Sequence, residues 1–419
     1  MSLTSTISMP RRAQEAPRAD TLGTSPRRET PTYWLWLAAC PVATLFILSN
    51  SATPLYASWQ REMGFTQSTL TGIFSIYVAG LVVSLLVCGP LSDRVGRKPI
   101  LLPALAVSFV SCLVFLSASS VPALLTARLL AGLAVGAIVS SGMAAVADIA
   151  GTNRRKTAAL LSSSAMVLGS GVGTLFSGVV AQMAAAPAMP VFGAVLALVA
   201  VCLVLVVKMP LQPAAQPGRR PIRLPGVPRT ALSHLALGVS AFAPGLSGTS
   251  FLSSLGPSLL YGITEDTNTS TAGTMIFLMF ASATVVQFAA PRSTPRSLLA
   301  AGATSTVLGM AALLSAAALS SQVAIFLAAA LVGAGQGAGQ LAGFMLLNVA
   351  VPASRLAEAN SALGVGAYLP AATLSLVTGR VSDSTSIETG AITLSVVLMV
   401  AAACSAAATF LFRHRLPRP

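Results

Sequence analysis

The sequence predicts an all-α membrane protein, in which twelve transmembrane helices form two pseudo-symmetric six-helix bundles around a central cavity. Of its 419 residues, 54% are hydrophobic and only 9% are charged, whereas soluble domains average about 25% charged residues. Apolar runs of about 20 residues, the length that spans a bilayer as a helix, recur along nearly the whole chain. A stretch with six prolines, five basic residues and no acid divides these runs near the midpoint.

The basic residues orient the chain in the membrane. Of 25 Lys and Arg residues, only Arg61, Arg128 and Arg380 lie outside the segments that we assign to the cytoplasmic side. Arg380 is placed with Asp383 in an outer loop that follows span 11, at about 361–377. This bias is the positive-inside rule, which sets topology. The net charge of +14 therefore does not indicate nucleic-acid binding, and we expect a multi-pass cell-membrane protein with both termini in the cytoplasm.

Charge and proline content divide the chain into five segments. We expect a disordered basic arm at 1–32, a six-helix bundle at 33–207, a basic cytoplasmic linker at 208–230, a second bundle at 231–412 and a tail at 413–419. Weak similarity between the halves, for example where spans 1 and 7 each end in a proline followed by a tyrosine, indicates an internal repeat. Such repeats place the binding site near the bilayer midplane, between the halves.

Prolines and charges also predict where spans break or end. Span 1 is expected to break at Pro54, and span 7 at Pro244 and Pro257. Span 2 is expected to end near Cys88, so that residues 89–99 form the turn to span 3.

This turn reads Gly-Pro-Leu-Ser-Asp-Arg-Val-Gly-Arg-Lys-Pro and places four charges between two apolar runs. Asp93 and Arg97 are four residues apart, a spacing that suits an ion pair on a helix. Gly89 permits close approach of helix backbones, and Gly96 permits a positive φ. The basic residues, Arg94 among them, lie where anionic lipid headgroups would meet them. Alternatively, the charges only fix topology.

The stretch resembles the loop 2–3 signature of the major facilitator superfamily of membrane transporters. The resemblance implies that Asp93 and Arg97 latch the cytoplasmic ends of the two halves and release as the carrier changes state. Asp148, at the cytoplasmic end of span 4, resembles the third member of this charge cluster. Loop 8–9 keeps basic residues but lacks the acid of the signature, which implies a one-sided latch.

Span 4 contains Arg128 within an apolar run. A buried arginine in a membrane helix is costly unless it has a partner, which makes it a candidate functional residue. The segment is similar to the superfamily's span 4 motif, in which an arginine four residues before a glycine, here Gly132, is linked to proton or substrate handling. Ala131 replaces the usual polar residue. The alternative is an arginine whose long side chain reaches the outer interface.

Small residues predict close helix packing in spans 4 and 5. Span 4 contains Gly132 and Gly136, and span 5 contains Gly169, Gly173 and Gly178. Glycines let helix backbones approach each other in membranes. The span 5 spacing is similar to the superfamily's antiporter motif, although a threonine stands at the proline position and a serine at the first glycine of the pair.

Polar residues within the apolar runs are candidates for a substrate or proton pathway. Gln336 and Gln340 lie one turn apart in span 10, and amides in hydrocarbon need partners or water. Asn50, Tyr56 and Tyr368 are further candidates on spans 1 and 11. The sequence places no acid in the middle of the membrane. A cavity with one arginine and no carboxylate suits neutral, amphipathic or anionic substrates.

These observations predict a secondary transporter, most similar to the twelve-span bacterial drug and metabolite exporters, that couples efflux of a small amphipathic molecule to protons. The incomplete antiporter motif and the missing buried acid leave open an importer or facilitator of a small neutral or anionic metabolite, and a membrane sensor that does not transport. Catalysis is not expected, since the two histidines lie far apart in sequence. The five cysteines form no CxxC pair. We expect a monomer without a metal or cofactor.

Overall fold

A computed structural model describes residues 31–151, 154–211, 226–264, 269–290, 293–351 and 356–411. Among these residues, twelve helical segments are long and apolar enough to cross a membrane. The predicted fold class is therefore confirmed. The predicted tail, most of the linker and nearly all of the basic arm lie outside the described residues.

The described residues form fifteen α-helices, because three of the twelve spans are interrupted. They are α1 (Thr32–Ser51), α2 (Tyr56–Met63), α3 (Gln67–Val95), α4 (Lys98–Leu116), α5 (Val121–Ala137), α6 (Met143–Ala150), α7 (Arg155–Met183), α8 (Ala188–Lys208), α9 (Leu232–Ser254), α10 (Gly256–Thr264), α11 (Thr269–Ala289), α12 (Pro295–Leu319), α13 (Gln322–Ala350), α14 (Leu356–Ser384) and α15 (Ile387–Leu411).

The interruptions agree only partly with the predicted breaks. Span 1 divides into α1 and α2 around Pro54, as predicted. Span 7 divides into α9 and α10 just before Pro257, but the break predicted at Pro244 is wrong, because α9 continues through this residue. Membrane helices tolerate proline where neighbouring groups satisfy the freed carbonyl. In span 4, a π-helical turn at Ile138–Gly142 separates α5 from α6.

The predicted turn at 89–99 is wrong for most of its length. Helix α3 continues through Pro90 to Val95. The backbone N–H of Gly96 closes the helix by donating to the Ser92 carbonyl over 3.0 Å. The chain changes direction only at Gly96, whose φ of 96° suits glycine. The signature residues before Gly96 thus extend α3 by about two turns rather than forming a loop.

The predicted limits of span 11 are too short. Helix α14 continues to Ser384, so Arg380 and Asp383 lie on its last turns rather than in a loop. Packing explains the extension, since these turns lie on the start of α3. A Cβ at Gly379 would collide with the Thr71 side chain.

The spans form two halves that contact along two seams. In the first half, α1 packs on α7 and α8, and α3 packs on α5; in the second half, α9 packs on α13 and α14, and α12 packs on α13 and α15. Between the halves, α3 packs on α14 and α7 packs on α11. These seams join spans 2 and 11 and spans 5 and 8, so exchanging the halves maps one seam onto the other. The repeat relates the two halves by a pseudo-twofold axis.

Candidate functional site

A cavity of about 80 Å³ lies between the two halves, near the middle of the spans. Helices α1, α3, α5 and α7 of the first half and α9, α11, α13 and α14 of the second half supply its wall. Of the predicted pathway residues, the structure brings together Asn50, Arg128, Gln336, Gln340 and Tyr368 on this wall.

Among the described residues of the wall, only Arg128 is charged. Its side chain is 1% exposed. Nε donates to the Tyr56 hydroxyl, and Nη1 donates to the Ser49 carbonyl. The guanidinium carbon lies 5.1 Å from the ring centroid of Tyr56 and 5.6 Å from that of Tyr77, which is within cation–π range. Nη2 has no hydrogen-bond partner among the described residues. The arginine is therefore held inside the first half and does not extend to the outer interface.

Tyr56 supports Arg128 from outside the cavity wall. It is the first residue of α2 and is 2% exposed. Its ring centroid lies 5.8 Å from that of Trp59, and Trp59 stacks on Phe115 and Phe192 at 6.1 and 6.4 Å. Buried aromatic pairs of this kind restrict each other's positions. The aromatic cluster thus fixes the hydroxyl that accepts from Arg128.

A series of hydrogen-bonded side chains leads from α7 of the first half, through α11, to α13 at the cavity wall. The Ser163 hydroxyl of α7 donates to Gln287 Oε1 of α11. Gln287 Nε2 in turn donates to Gln340 Oε1 of α13 over 3.3 Å. Gln336, one turn away on the same helix, is buried and its Oε1 has no partner among the described residues. Sequence reasoning missed Gln287, although an isolated amide in an apolar run is the signal that singled out the other two glutamines.

Asn50 ties two helices of the first half together at the cavity wall. Its Nδ2 donates to the Phe46 carbonyl over 3.0 Å and to Ser170 Oγ over 3.1 Å. The amide nitrogen is therefore occupied within the bundle.

Much of the cavity wall is aromatic, and most of it was not predicted. Besides Tyr368, the rings are Phe46, Phe74, Tyr77 and Phe280. An apolar run does not distinguish a phenylalanine that faces a cavity from one that faces lipid, so the sequence carries no signal for these residues.

The charge cluster at the α3–α4 junction contains one described ion pair. Arg97 Nε lies 3.0 Å from Asp148 Oδ2 of α6, and Arg97 Nη1 donates to Ser92 Oγ over 3.0 Å. The side chain of Asp93 lies outside the description. Arg94 is half-buried on the last turn of α3. The described contacts thus hold the α3–α4 junction to span 4 of the same half.

Close packing does not require a glycine at position 89, contrary to the role expected from the sequence. A Cβ there would lie 3.8 Å from Ser140 Cβ and 3.9 Å from Ser361 Oγ, which is ordinary van der Waals contact. Small side chains would therefore fit at this position.

The other predicted packing glycines lie at helix crossings. A Cβ at Gly132 or Gly136 would collide with backbone carbonyls of α3. At Gly169 or Gly173 it would lie 2.6 Å from carbonyl oxygens of α1. Gly178 faces α11 across the seam between the halves, where a Cβ added at Gly273 would lie 3.2 Å from Gly178 Cα. The contacts at Gly132, Gly136, Gly169 and Gly173 require glycine for steric reasons.

At the opposite end of the molecule from the Arg97–Asp148 pair, a carboxylate joins the two halves. Asp383 of α14 accepts hydrogen bonds from the backbone N–H groups of Gln67 and Ser68, over 2.8 and 2.9 Å. These are the first residues of α3, where N–H groups lack partners within the helix. Thr66 caps the same end by accepting from the Thr69 N–H over 3.3 Å.

Twelve spans among the described residues, two halves related by a repeat, and a cavity enclosed between them define a membrane carrier fold. The chain belongs to the Major Facilitator Superfamily, whose sequence profile matches residues 35–373. The family predicted from the signature is confirmed, and the chain is a multi-pass membrane protein.

Curated relatives match limited parts of the chain. Inner membrane transport protein YnfM of Escherichia coli (strain K12) is 32% identical over 120 residues, 28% of this chain and 28% of that protein. The gallate transporter of Pseudomonas putida is 28% identical over 146 residues, 34% of this chain and 32% of that protein. Multidrug resistance protein D of Escherichia coli (strain K12) is 30% identical over 83 residues, which is 20% of this chain and 21% of that protein. The chain thus aligns with about a third or less of these relatives' lengths.

Solved structures share the fold along nearly the whole chain. A bacterial homolog of the human lysosomal transporter Spinster, inward-facing and unoccupied, has a TM-score of 0.73 at 15% identity and covers 95% of this chain and 100% of its own. A point mutant of the nucleoside transporter NupG has a TM-score of 0.68 at 14% identity and covers 90% of this chain and 99% of its own. At these identities the likeness shows the fold alone.

Proposed function

We propose that this protein is a secondary transporter that moves a small molecule by alternating access. The observation that carries the proposal is the cavity whose wall is supplied by both halves. Because neither half encloses the site alone, rocking one half against the other along the α3–α14 and α7–α11 seams would change which side of the membrane reaches it.

The direction that we propose is export, driven by protons, of a small amphipathic drug or metabolite. Similarity to Multidrug resistance protein D supports export of a drug. At about 80 Å³, the cavity has room for only a few water molecules. The transported molecule is therefore small, or the cavity is wider in another state of the transport cycle.

A facilitator or importer of a small metabolite is the second candidate. It is favoured by the cavity wall, whose described residues include no carboxylate and no histidine. A proton-coupled carrier usually titrates such a group.

Flux in inside-out membrane vesicles tests both functions. Vesicles from cells that produce the protein are offered a panel of labelled drugs and small metabolites, with and without an uncoupler. Proton-coupled export predicts accumulation that the uncoupler abolishes. Equilibration that the uncoupler does not change supports facilitation, and no flux of any compound, with the protein present in the membrane, contradicts transport.

For topology, we propose that the Arg97–Asp148 end is cytoplasmic, as the positive-inside rule indicates. A membrane-impermeant thiol reagent tests this with a single cysteine at Asn153 or at Thr385. Labelling of the Thr385 site from outside intact cells, with the Asn153 site protected, is the expected result, and the reverse pattern would refute this orientation.

A further inference from the structure

The buried guanidinium of Arg128 is not neutralised by the part of the protein that the structure describes. Its two hydrogen-bond acceptors, the Tyr56 hydroxyl and the Ser49 carbonyl, are both uncharged. None of the described carboxylates lies within ion-pair distance of it. Arginine does not lose its proton in proteins, so the side chain cannot escape the cost of burial by becoming neutral.

The same guanidinium also has an unused donor. Nη2 is enclosed and has no partner among the described residues, although Arg128 forms part of the cavity wall. A buried donor without an acceptor is costly, and a buried charge without a counter-ion is more so. A water molecule would satisfy the donor but not the charge. An anion in the cavity would satisfy both.

From this arrangement we infer that the cavity binds a small organic monocarboxylate with a flat body, whose carboxylate pairs with Arg128. The inference rests on the proposed transport function, because it names the cargo of the same cavity. One arginine supplies one positive charge, so a phosphate or sulfate dianion would leave a buried negative charge unpaired. A cationic cargo would meet a like charge at close range.

The rest of the wall fits the body of such an anion. Five aromatic rings from both halves surround the cavity, and rings of this kind stack on flat ligands. Gln336 presents an unpaired Oε1 acceptor from the second half, which suits a hydroxyl or amine hydrogen of the ligand. A carboxylate at Arg128 and a donor at Gln336 would therefore connect the first half to the second.

Three ligands of similar shape but different charge test whether the cavity selects its ligand by charge rather than by size. Para-hydroxybenzoate, para-hydroxybenzamide and para-hydroxybenzamidine carry an anionic, a neutral and a cationic group on the same hydroxylated ring. Equilibrium binding to the purified full-length protein in nanodiscs is measured by titration calorimetry. We expect the benzoate to bind at least about tenfold more tightly than the amide, as for a hydrogen bond to a charged group, and the amidine to bind more weakly than the amide. Equal affinities for the three, or no binding of the benzoate, would overturn the inference.

Substitutions at Arg128 test whether this residue causes the preference for the anionic ligand. Arg128→Gln should remove the preference for the benzoate over the amide, whereas Arg61→Gln, which removes an exposed positive charge of α2, should leave it unchanged. If Arg128→Gln does not fold, Arg128→Lys keeps the charge and should retain a preference for the anion over the amide. A benzoate preference that survives in folded Arg128→Gln contradicts the inference. The vesicle flux panel decides transport independently, so flux of neutral or cationic compounds without benzoate selectivity would reject the monocarboxylate and retain the transporter.

Discussion

Asp383, on the last turn of α14, caps the first turn of α3 in the opposite half. The carboxylate accepts from the backbone N–H of Gln67 over 2.8 Å and from that of Ser68 over 2.9 Å. A negative charge at a helix N-terminus also interacts favourably with the helix dipole. The α3–α14 seam is therefore tied at this end by backbone groups, which no substitution at Gln67 or Ser68, other than proline, removes.

Asp383→Asn should loosen this end of the seam. The amide supplies one acceptor oxygen in place of two and carries no charge, so the cap should weaken by about 1 kcal/mol. In a background without the five native cysteines, a single cysteine at Ala372, whose carbonyl accepts from Ser75 across the seam, should be alkylated several-fold faster. Glu388→Gln removes an acid near the start of α15 and should not change the rate. An unchanged rate in Asp383→Asn would show that the cap does not hold the seam.

The cap also shows which features of the fold can be predicted from the sequence and which cannot. The spans follow from apolar runs, and Arg128, Gln336 and Gln340 were found because polar groups are conspicuous in such runs. The cap was not predicted, because it joins residues 316 positions apart and depends on α14 continuing past its apolar part. The continuation of α3 through Pro90 was missed for a related reason, since neighbouring helices decide whether a membrane helix tolerates proline.

Asp148→Asn should lower transport while changing stability little. The Arg97–Asp148 pair has side chains that are 20% and 53% exposed, so its loss should cost about 0–1 kcal/mol. If the cluster acts as a latch, initial transport rates should fall in this variant and in Asp93→Asn, with normal amounts of protein in the membrane. Glu62→Gln, an exposed acid on α2, is the control. Full activity in both cluster variants would leave these charges with a role in topology alone.

Tyr56→Phe should destabilise the protein by removing a hydrogen bond that holds Arg128 at the cavity wall. The change removes the acceptor of Arg128 Nε and leaves a second guanidinium nitrogen unsatisfied, at a cost of about 1–3 kcal/mol. The thermal midpoint of the purified protein should fall. Tyr261→Phe provides a matched control, because Tyr261 stands near the corresponding place in the repeat but is 55% exposed. Equal midpoints for the two variants would mean that the Tyr56 hydroxyl does not support Arg128.

Ser163 and Gln287 should be energetically coupled across the α7–α11 seam. The serine hydroxyl donates to the Gln287 amide, which is buried and continues to Gln340. Hydrogen bonds between membrane helices contribute about 0.6 kcal/mol on average in double-mutant cycles. A cycle of Ser163→Ala and Gln287→Met, read as unfolding free energy in detergent, should give a coupling of about this size. Additive effects would show that the two halves are not joined by this hydrogen bond.

Gly132→Ala should disrupt the crossing of α3 and α5 and displace Arg128. A Cβ at Gly132 would collide with the Tyr77 carbonyl oxygen. This obstacle is backbone, so it cannot move aside as a flexible side chain would. Overpacking of this kind costs about 1–3 kcal/mol, and because Arg128 lies one turn earlier on α5, loss of anion binding should accompany the loss of stability. Gly193→Ala is the control, since a Cβ there meets nothing within 4 Å and should stabilise α8 by about 0.5–1 kcal/mol. Equal thermal midpoints for the two alanine variants would contradict the close approach of α3 and α5.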